Sequence, residues 1–589
     1  MTLLVPVLLL VVFLGQLALP RVGANPLLFA SVAGAGGLML LWLLALAGRG
    51  KRLGLEFTIK RAHVGQMCVH TSVYAYWGLH WPDVFAQAPL ILGQVCFLSL
   101  LEILGSWSLN RRHRLGLGAV PIVFSTNLFL WFHDDWFYLQ YGMLVISWLT
   151  KEFVKWDRGG GQKVHIFNPS AISLALAGVV LIGLGRTDIA RAQEISQALG
   201  IGPWCFESIF LAGLIIMSIV PVAAMTAASA LTMLGLGFLW TQATGTYHFI
   251  DTAIPIAVFL GMNLLATDPV TTPRGPLGKL IAGVIYGVSV FFLYDLLKHF
   301  GQPATETTPA VTVTYFDKLL FVPVLNLLAP VLDRLAAALA RGRSGPGWLR
   351  NNYVHMALWA GAFVFLVRPN TREHPGRQAE TWRPACEAGQ ADACGRLGDL
   401  LVRDCGAGEA AACHNAAIHL EKTADTLRVA DLYGRACAGG IAAACEALGT
   451  RILAGQVAGQ GEAEAGTLFA QACDGGRAPA CHRAALLFAP ADPTRARTLA
   501  ERACASDHLP GCAALGILVL QGQGGPRDPA AAAPLLERAC EGSQAAACAN
   551  LAVMYRRGDG VAADPARAEA LRQKACDAGL TAACQWERP

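Results

Sequence analysis

Residues 501–512 read ERACASDHLPGC, residues 537–548 read ERACEGSQAAAC and residues 573–584 read QKACDAGLTAAC. Each stretch places one cysteine eight positions after another, and the copies repeat every 36 residues. The spacing recurs upstream, so fourteen of the 17 cysteines form seven pairs: Cys386/Cys394, Cys405/Cys413, Cys437/Cys445, Cys473/Cys481, Cys504/Cys512, Cys540/Cys548 and Cys576/Cys584. The earlier intervals between first cysteines are 19, 32, 36 and 31 residues. A period in this range marks a solenoid of helical hairpins. Each unit reads as helix, Ala-Cys, a turn often holding glycine, Ala-Cys, helix. Gly439, Gly475 and Gly579 are expected to take the left-handed position at the helix end. The short first interval suggests a partial or capping first unit.

Seven disulfides are the simplest reading of the pairs. Each closes a small loop, worth about 2–3 kcal/mol in the chain-entropy model. The rival is zinc, which prefers two to four residues between cysteines. No histidine pattern recurs; His414 and His482 follow a cysteine without counterparts elsewhere, and no metal is expected. There is no Cys-x-x-Cys-His haem attachment site. Disulfides persist in oxidising compartments, which puts residues 370–589 outside the cytoplasm.

The repeat resembles the Sel1-like family, relatives of the tetratricopeptide solenoids. The matching residues are Tyr555 with Gly558-Asp559-Gly560-Val561, then Asp564 and Ala568, and a second copy at Gly522-Gln523-Gly524-Gly525, then Asp528 and Ala532. The resemblance implies a scaffold that docks a protein partner and carries no catalytic residue.

Upstream the composition changes. Of 589 residues 54% are hydrophobic and 15% charged, against about 25% charge in soluble domains. The excess of apolar residues lies in 1–367. The net charge of +5 is spread thin and leaves no nucleic-acid footprint. A spanning helix needs about 20 mostly apolar residues. Thirteen spans are read, near 2–20, 26–48, 64–81, 87–108, 117–132, 137–150, 167–185, 205–220, 225–240, 249–267, 280–297, 319–335 and 353–367. With the N-terminus inside, eighteen basic residues fall in inner loops: Arg49, Lys51, Arg52, Lys60, Arg61, Arg111, Arg112, Arg114, Lys151, Lys155, Arg158, Lys163, Arg274, Lys279, Arg334, Arg341, Arg343 and Arg350. Five, Arg21, Arg186, Arg191, Lys298 and Lys318, fall outside. This bias follows the positive-inside rule and carries the C-terminus outward, as the cysteines do. The first span has no positive n-region and reads as an uncleaved anchor, although Val22-Gly23-Ala24 faintly resembles a cleavage site. The expected domains are 1–90 (N-terminal membrane helices), 91–367 (membrane core with a final anchor), 368–380 (linker) and 381–589 (repeats).

Two polar segments interrupt the apolar region, His165-Ile166-Phe167-Asn168-Pro169-Ser170-Ala171 and Ala266-Thr267-Asp268-Pro269-Val270-Thr271-Thr272-Pro273-Arg274-Gly275. Asn or Asp before Pro reads as a helix start. Such an end offers free N–H groups and a positive dipole to an anionic or carbonyl-rich ligand. Glu102 lies deepest in a span and suits an ion or proton path. Glu207, Asp251 and Asp295 sit near span ends. His133, Asp134 and Asp135 form a solvated turn or a metal site. Cys68, Cys96 and Cys205 pack as small apolar groups. Trp131, Trp136 and Trp148 read as interfacial anchors.

The two segments resemble the Asn-Pro and Ala-Thr-Asp-Pro-Val motifs of the RnfD/NqrB family, membrane subunits of redox complexes, over about residues 90–340. The UnbU-like proteins of enediyne pathways are of the same type. The resemblance implies a ten-helix core built from an internal repeat, and electron transfer through flavin or quinone to redox partner subunits. Asn168, Pro169, Thr267, Asp268, Thr272 and Arg274 would bind the cofactor. The family's Ser-Gly-Ala-Thr attachment motif is missing from 186–204, and Gln242-Ala243-Thr244-Gly245-Thr246 is a scrambled likeness. That leaves a flavin (FMN or riboflavin) held non-covalently, or none.

The expectation is an all-α protein: a polytopic domain in the bilayer of a bacterial inner membrane, followed by a disulfide-stapled αα-hairpin solenoid on the periplasmic side. Three functions fit: an electron-transfer subunit, a non-redox membrane-anchored scaffold, or a solute or ion transporter built from repeats.

Overall fold

The computed structural model describes residues 3–50, 53–157, 163–266, 268–301, 313–339, 351–372, 374–421 and 426–585. The chain is mostly helical and divides into two compact units, Met1–Arg377 and Gln378–Pro589.

In the first unit the helices that matter are α1 (Leu4–Leu14), α2 (Pro26–Gly48), α3 (Arg61–His80), α4 (Asp83–Ser108), α5 (Ala119–Asn127), α6 (Tyr138–Phe153), α7 (Pro169–Gly183), α8 (Cys205–Ile219), α9 (Ala223–Thr244), α10 (Ile256–Leu260), α11 (Pro276–Lys298), α12 (Val322–Leu339) and α13 (Asn352–Ala362). Two small strand pairs join them. β1 (Leu55–Phe57) runs parallel to β2 (His113–Leu115), and β3 (Lys155–Asp157) is antiparallel to β4 (Lys163–His165).

Thirteen spans are not what forms. Among the described residues five helices are long and apolar enough to cross a membrane: Pro26–Gly48, Asp83–Ser108, Ala223–Thr244, Pro276–Lys298 and the stretch Thr314–Leu339. α3 has 20 residues but is too polar, carrying His63, Gln66, His70 and Thr71. α7 and α8 have 15 residues each, about 22 Å at the helical rise against about 30 Å of hydrocarbon. The expected 117–132 span is a nine-residue helix followed by irregular backbone over Leu128–Phe132 that is fully buried. The 249–267 span is α10 continued by one wide turn, Gly261–Leu265. A hydropathy window counts apolar residues whether or not their backbone is helical. Broken backbone is tolerated at such depth where neighbouring helices cover it.

α2 shows the other side of the pattern. It buries Leu28, Val32, Met39, Leu43 and Leu46 and exposes Leu38, Leu41 and Leu44. A helix apolar all round that buries only one stripe suits an apolar surrounding. Gly283 and Gly287 of α11 lie against the carbonyls of Met225 and Ser229 on α9, where a side chain would not fit. This is the small-residue packing of membrane helices.

α3 connects two ends of this unit. Its first residues sit beside Gly118, which precedes α5, and Lys151 of α6. At its far end Trp81 and Asp83 meet Arg191, and Tyr76 accepts a hydrogen bond from the Trp204 N–H at 2.9 Å. Arg368, which opens the short helix Arg368–Arg372 that continues from α13, pairs with Glu207 at 3.3 Å near the start of α8. The unit's C-terminal end is therefore opposite the Lys60–Lys151 end. α1 packs on α4 with Gln16 filling the space above Gly93, and Arg21 forks onto Asp134 at 2.7 and 3.0 Å.

In the second unit all seven expected cysteine pairs are disulfides: Cys386–Cys394, Cys405–Cys413, Cys437–Cys445, Cys473–Cys481, Cys504–Cys512, Cys540–Cys548 and Cys576–Cys584, with Cα–Cα separations of 4.4–4.9 Å. One turn geometry explains all of them. The first cysteine lies in the last turns of a helix. Three residues later comes a residue with positive φ: Gly389, Gly408, Gly440, Gly476, Asp507, Ser543 and Gly579 in order. The next N–H returns to the carbonyl just before the first cysteine, as in Ile441 to Ala436 and His508 to Ala503. This is the Schellman cap, and it aims the second helix back so that its first turn faces the first cysteine. The second cysteine always takes the same place there. Cys394, Cys413, Cys445, Cys481, Cys512, Cys548 and Cys584 each stand fourth in a helix, after starts at Ala391, Ala410, Ala442, Ala478, Leu509, Ala545 and Thr581. Gly579 takes the left-handed place as expected, but Gly439 and Gly475 do not. Their successors Gly440 and Gly476 do, while a Cβ on Gly439 or Gly475 would meet Ala410 or Ala442 of the preceding hairpin.

The 19-residue first interval has a simple cause. Helix Ala391–Gly406 carries Cys394 at its start and Cys405 at its end, so two successive disulfides share one helix. From residue 492 the hairpins start alike. Asp492, Asp528 and Asp564 cap helices that begin with Pro493, Pro529 and Pro565, each accepting from the N–H three residues on.

Alkylation of the denatured, unreduced chain should mark only Cys68, Cys96 and Cys205. After reduction all 17 cysteines should take the label. Intact-mass measurement distinguishes three adducts from any larger number before reduction, and a larger number would refute the bridge assignment.

Candidate functional site

β4 ends at His165, and Asn168-Pro169 then starts α7. Asn168 Oδ1 accepts from the N–H groups of Ser170 and Ala171 at 3.2 and 3.3 Å and from Ser170 Oγ at 2.9 Å. Proline follows where no N–H is needed. The other end of the amide works elsewhere: Nδ2 donates to the Leu265 carbonyl at 2.9 Å, at the end of the wide turn after α10. The Asn168 N–H donates to Asn326 Oδ1 of α12, also at 2.9 Å. Asn168 is thus both a helix cap and a strap across three segments.

Asp268-Pro269 behaves differently from the expected helix start. Asp268 Oδ1 accepts from the Val270 N–H at 3.2 Å and Oδ2 from the Thr271 hydroxyl at 3.0 Å. Its carbonyl accepts from the N–H groups of Thr271 and Thr272. The turn stops because Pro273 disfavours helical backbone at the residue before it. The helix waits until Pro276.

The two segments line one cavity of about 440 Å³, with Asn168, Pro169 and Ser170 on one wall and Asp268, Pro269 and Val270 on another. Ligand pockets span roughly 300–1,000 Å³. Lys60, His63, Glu102, Lys151 and His165 add the titratable groups of the lining. Lys151 Nζ lies 2.6 Å from Glu102 Oε1, and His165 Nε2 lies 3.6 Å from Asp268 Oδ2. Behind the wall, His70 Nδ1 contacts the Gln66 carbonyl at 2.6 Å and Nε2 contacts the Ser125 hydroxyl at 3.1 Å. Both carboxylates therefore face a basic partner, which relieves the cost of charge away from water.

Of the residues singled out by sequence, Asn168, Pro169 and Asp268 line the cavity. Thr272 is buried behind the turn, and Arg274 points to the surface with its N–H on Asp333 at 2.8 Å. Thr267 lies outside the described residues. In the sequence Lys60 and Lys151 stand out only as loop charge, and His63 not at all. Their sequence signal is no more than a basic residue at a span boundary. The Gln242–Thr246 stretch ends α9, with Gly245 in the left-handed position.

Other polar residues have structural partners. Asp134 is held by Arg21, and Asp135 accepts from Asn25 Nδ2 at 2.8 Å. Among the described residues no three ligating side chains gather as a metal site. Asp295 pairs with Lys298 at 3.4 Å, and the Asp251 carbonyl accepts from Arg377. Trp131 is not an interfacial anchor. It is fully buried, stacked on Trp81 at 5.2 Å with the Arg191 guanidinium over both rings.

The bridged cysteines act as staples. Cys413, Cys445, Cys481, Cys512 and Cys548 are buried inside their hairpins, and Cys584 of the last bridge is exposed at the end of the ladder.

In the second unit, residues 478–508, 509–543 and 545–580 match the Sel1 repeat. The C-terminal region carries Sel1 repeats. Similar solved structures include a Sel1 repeat protein from Oxalobacter formigenes, at 20% identity over 35% of this chain and 81% of that one, TM-score 0.28. The protective antigen c5321 of uropathogenic Escherichia coli, with an SLR fold, is similar at 15% identity over 75% of this chain and 85% of that one, TM-score 0.29. A Sel1 repeat protein from Klebsiella pneumoniae subsp. pneumoniae is similar at 20% identity over 32% of this chain and 96% of that one, TM-score 0.21.

Within the Sel1 hairpins, Arg502 and Arg538 each reach back to the carbonyl of the preceding unit's first cysteine, Cys473 and Cys504. Arg435 does the same to Cys405 at 2.7 Å. This is a positional rule, since each arginine stands two residues before its own first cysteine. His482 sits between repeats against His508, ring centroids 5.6 Å apart, and its buried Nδ1 has no hydrogen-bond partner among the described residues. Burial, with His508 and Arg483 nearby, holds its pKa down at about 4.

Two outcomes follow. Asn168→Ala should lower the thermal stability of the detergent-solubilised chain by about 1–2 kcal/mol, the worth of a helix cap, while Asn168→Ser, which keeps a cap oxygen without setting a charge against the Leu265 carbonyl, should lose less. For His482, the unfolded chain takes up the proton first, near the usual 6.5, and the folded chain only near 4. Sel1-unit stability should be full above about pH 6.5 and decline toward pH 4. His482→Gln should flatten that decline in protease-resistance profiles; an unchanged acid limb would remove this histidine from the account.

Proposed function

We propose that the chain is a membrane-anchored interaction scaffold whose Sel1 repeats dock a protein partner outside the cytoplasm. The ladder of disulfide-stapled Sel1 hairpins, carried in one chain with a unit of apolar helices, is the observation behind this reading. Sel1 hairpins stack into a stiff surface with little freedom to lose on binding, which favours affinity. The apolar unit supplies a multi-pass anchor in a bacterial inner membrane, N-terminus cytoplasmic. Support for the orientation comes from the loop charges, from disulfides that need an oxidising compartment, and from Arg368 standing at the end opposite the basic Lys60–Lys151 end.

A second reading is favoured by one observation, the shared cavity of the Asn168 and Asp268 segments. In it the first unit resembles RnfD/NqrB and passes electrons through flavin or quinone to partner subunits. The cavity has the volume of a ligand site, apolar faces at Ile122, Leu264 and Val270, and polar groups at Lys151, His165 and Ser170. These residues fit a non-covalent flavin. A bound flavin would supply one- and two-electron chemistry. The chain's own part would be to orient the ring between the apolar faces and the polar groups of Lys151 and His165, each beside a carboxylate.

The two readings separate by experiment. Full-length chain isolated from cells after crosslinking should bring down a specific protein, and a chain ending at Arg377 should not. Retention of that protein by the truncated chain would overturn the scaffold reading. A flavin absorption spectrum in the purified chain would support the second reading, and a colourless chain that binds neither added flavin nor quinone would end it.

A further inference from the structure

The outer surface at the Lys60–Lys151 end sets large apolar side chains beside cations, and three neighbouring segments do so alike. β1 and the residues after it expose Phe57 and Ile59, at 74% and 60%, just before the exposed Lys60 and Arg61. α4 closes on Leu109, 38% exposed, two residues before the exposed Arg111 and Arg112. α6 closes on Phe153, 55% exposed, and Val154, ahead of Lys155. The segments are joined. β1 pairs with β2, and the His113 N–H donates to the Gly54 carbonyl at 2.8 Å. A Cβ on Gly54 would meet Arg112 Cγ at 3.1 Å, so the arginine stem lies along the β1 segment. Glu152 of α6 pairs with Arg111 and, at 3.2 Å, with Lys155.

The charge is one-sided. Residues 51–61, 109–115 and 151–158 hold ten Lys and Arg against three Asp and Glu, and Glu102, which pairs with Lys151, raises the acids only to four. The level of this collar in a bilayer follows from α4, which is long and apolar enough to cross and ends at Ser108. Leu109 to Arg112 then stand where hydrocarbon gives way to headgroups. Water makes bare Phe57, Ile59 and Phe153 costly, and hydrocarbon makes the arginines costly. The headgroup layer accommodates both, with the apolar groups toward the acyl chains and the cations at the phosphates.

We propose that this collar binds an anionic phospholipid, with the headgroup phosphate at Arg111 and Arg112 and the acyl chains beside Phe57, Leu109 and Phe153. A zwitterionic headgroup brings its own cation, which a surplus of Lys and Arg repels; an anionic headgroup brings none. The inference rests on the membrane-anchor part of the proposed function and adds the class of lipid that the anchor selects.

The test places the full-length chain in nanodiscs of phosphatidylcholine with a minor share of phosphatidylglycerol, and reads the lipid that stays bound in native mass spectra. Phosphatidylglycerol should be retained at least about fivefold above its share of the disc, the effect of one or more cations near an anionic surface. Arg111→Gln with Arg112→Gln should bring retention down to that share, and the Arg→Lys pair, which keeps the charge, should hold most of it. Arg186→Gln, past the far end of α7 and paired there with Asp188, should change nothing. In the wild-type chain, which needs no variant to fold, added salt before release should weaken the preference. A chain that enters the discs but shows no preference for phosphatidylglycerol, or one that the Arg→Gln pair leaves unchanged, would overturn the lipid site and leave the anchor standing. A chain that enters no disc of either composition would overturn the anchor and the lipid site together.

Discussion

A peptide group left without a partner in apolar surroundings costs several kcal/mol. That cost shapes the first unit wherever a helix stops short. At α7 the Asn168 amide meets it on both sides, accepting from the new helix and donating to the Leu265 carbonyl. At the end of α5 the same task falls to Asn127, whose Nδ2 donates to the Val123 carbonyl at 2.9 Å and to Gln94 Oε1 at 2.7 Å, while its own carbonyl accepts from Trp131 Nε1. Half-length helices and the cavity between them are two aspects of one arrangement. At α5 the local chain meets the need instead, with the Val120 N–H on the Leu117 carbonyl and a proline at 121 that has no N–H to satisfy.

The Sel1 unit solves the opposite problem. Water satisfies its helix ends readily, but its core is built mainly of alanine and has little apolar area per hairpin. The disulfide across each turn and the close approach of Gly439, Gly475 and Gly542 to the preceding hairpin offset that shortage. Exposed ion pairs between neighbours, such as Arg477–Glu446 and Arg502–Asp474 at 2.7 and 2.6 Å, add little stability individually. The arginine-to-carbonyl contacts recur in fixed positions and set register as much as energy.

The cysteine spacing was legible because a covalent bridge needs two cysteines at one separation, whatever lies around them. The left-handed position was misplaced by one residue because Gly439-Gly440 and Gly475-Gly476 are glycine pairs. In each pair one glycine serves backbone conformation and the other serves contact with a neighbour, and only the packed hairpins tell them apart. The span count failed for a related reason. Apolar composition is shared by helices that cross a bilayer and by broken segments that other helices cover.

By itself the sequence determined what depends on local chemistry: the seven bridges, the cap at Asn168, and the apolar bias of residues 1–367. Only the tertiary structure decided that Asn168 and Asp268 share a wall, that Thr272 and Arg274 leave it, and that Lys60, His63 and Lys151 join it. Lys60 stands about 90 positions before Lys151 and more than 200 before Asp268. No local propensity reaches that far; their meeting is fixed by which helices stop short and how the rest pack around the gap.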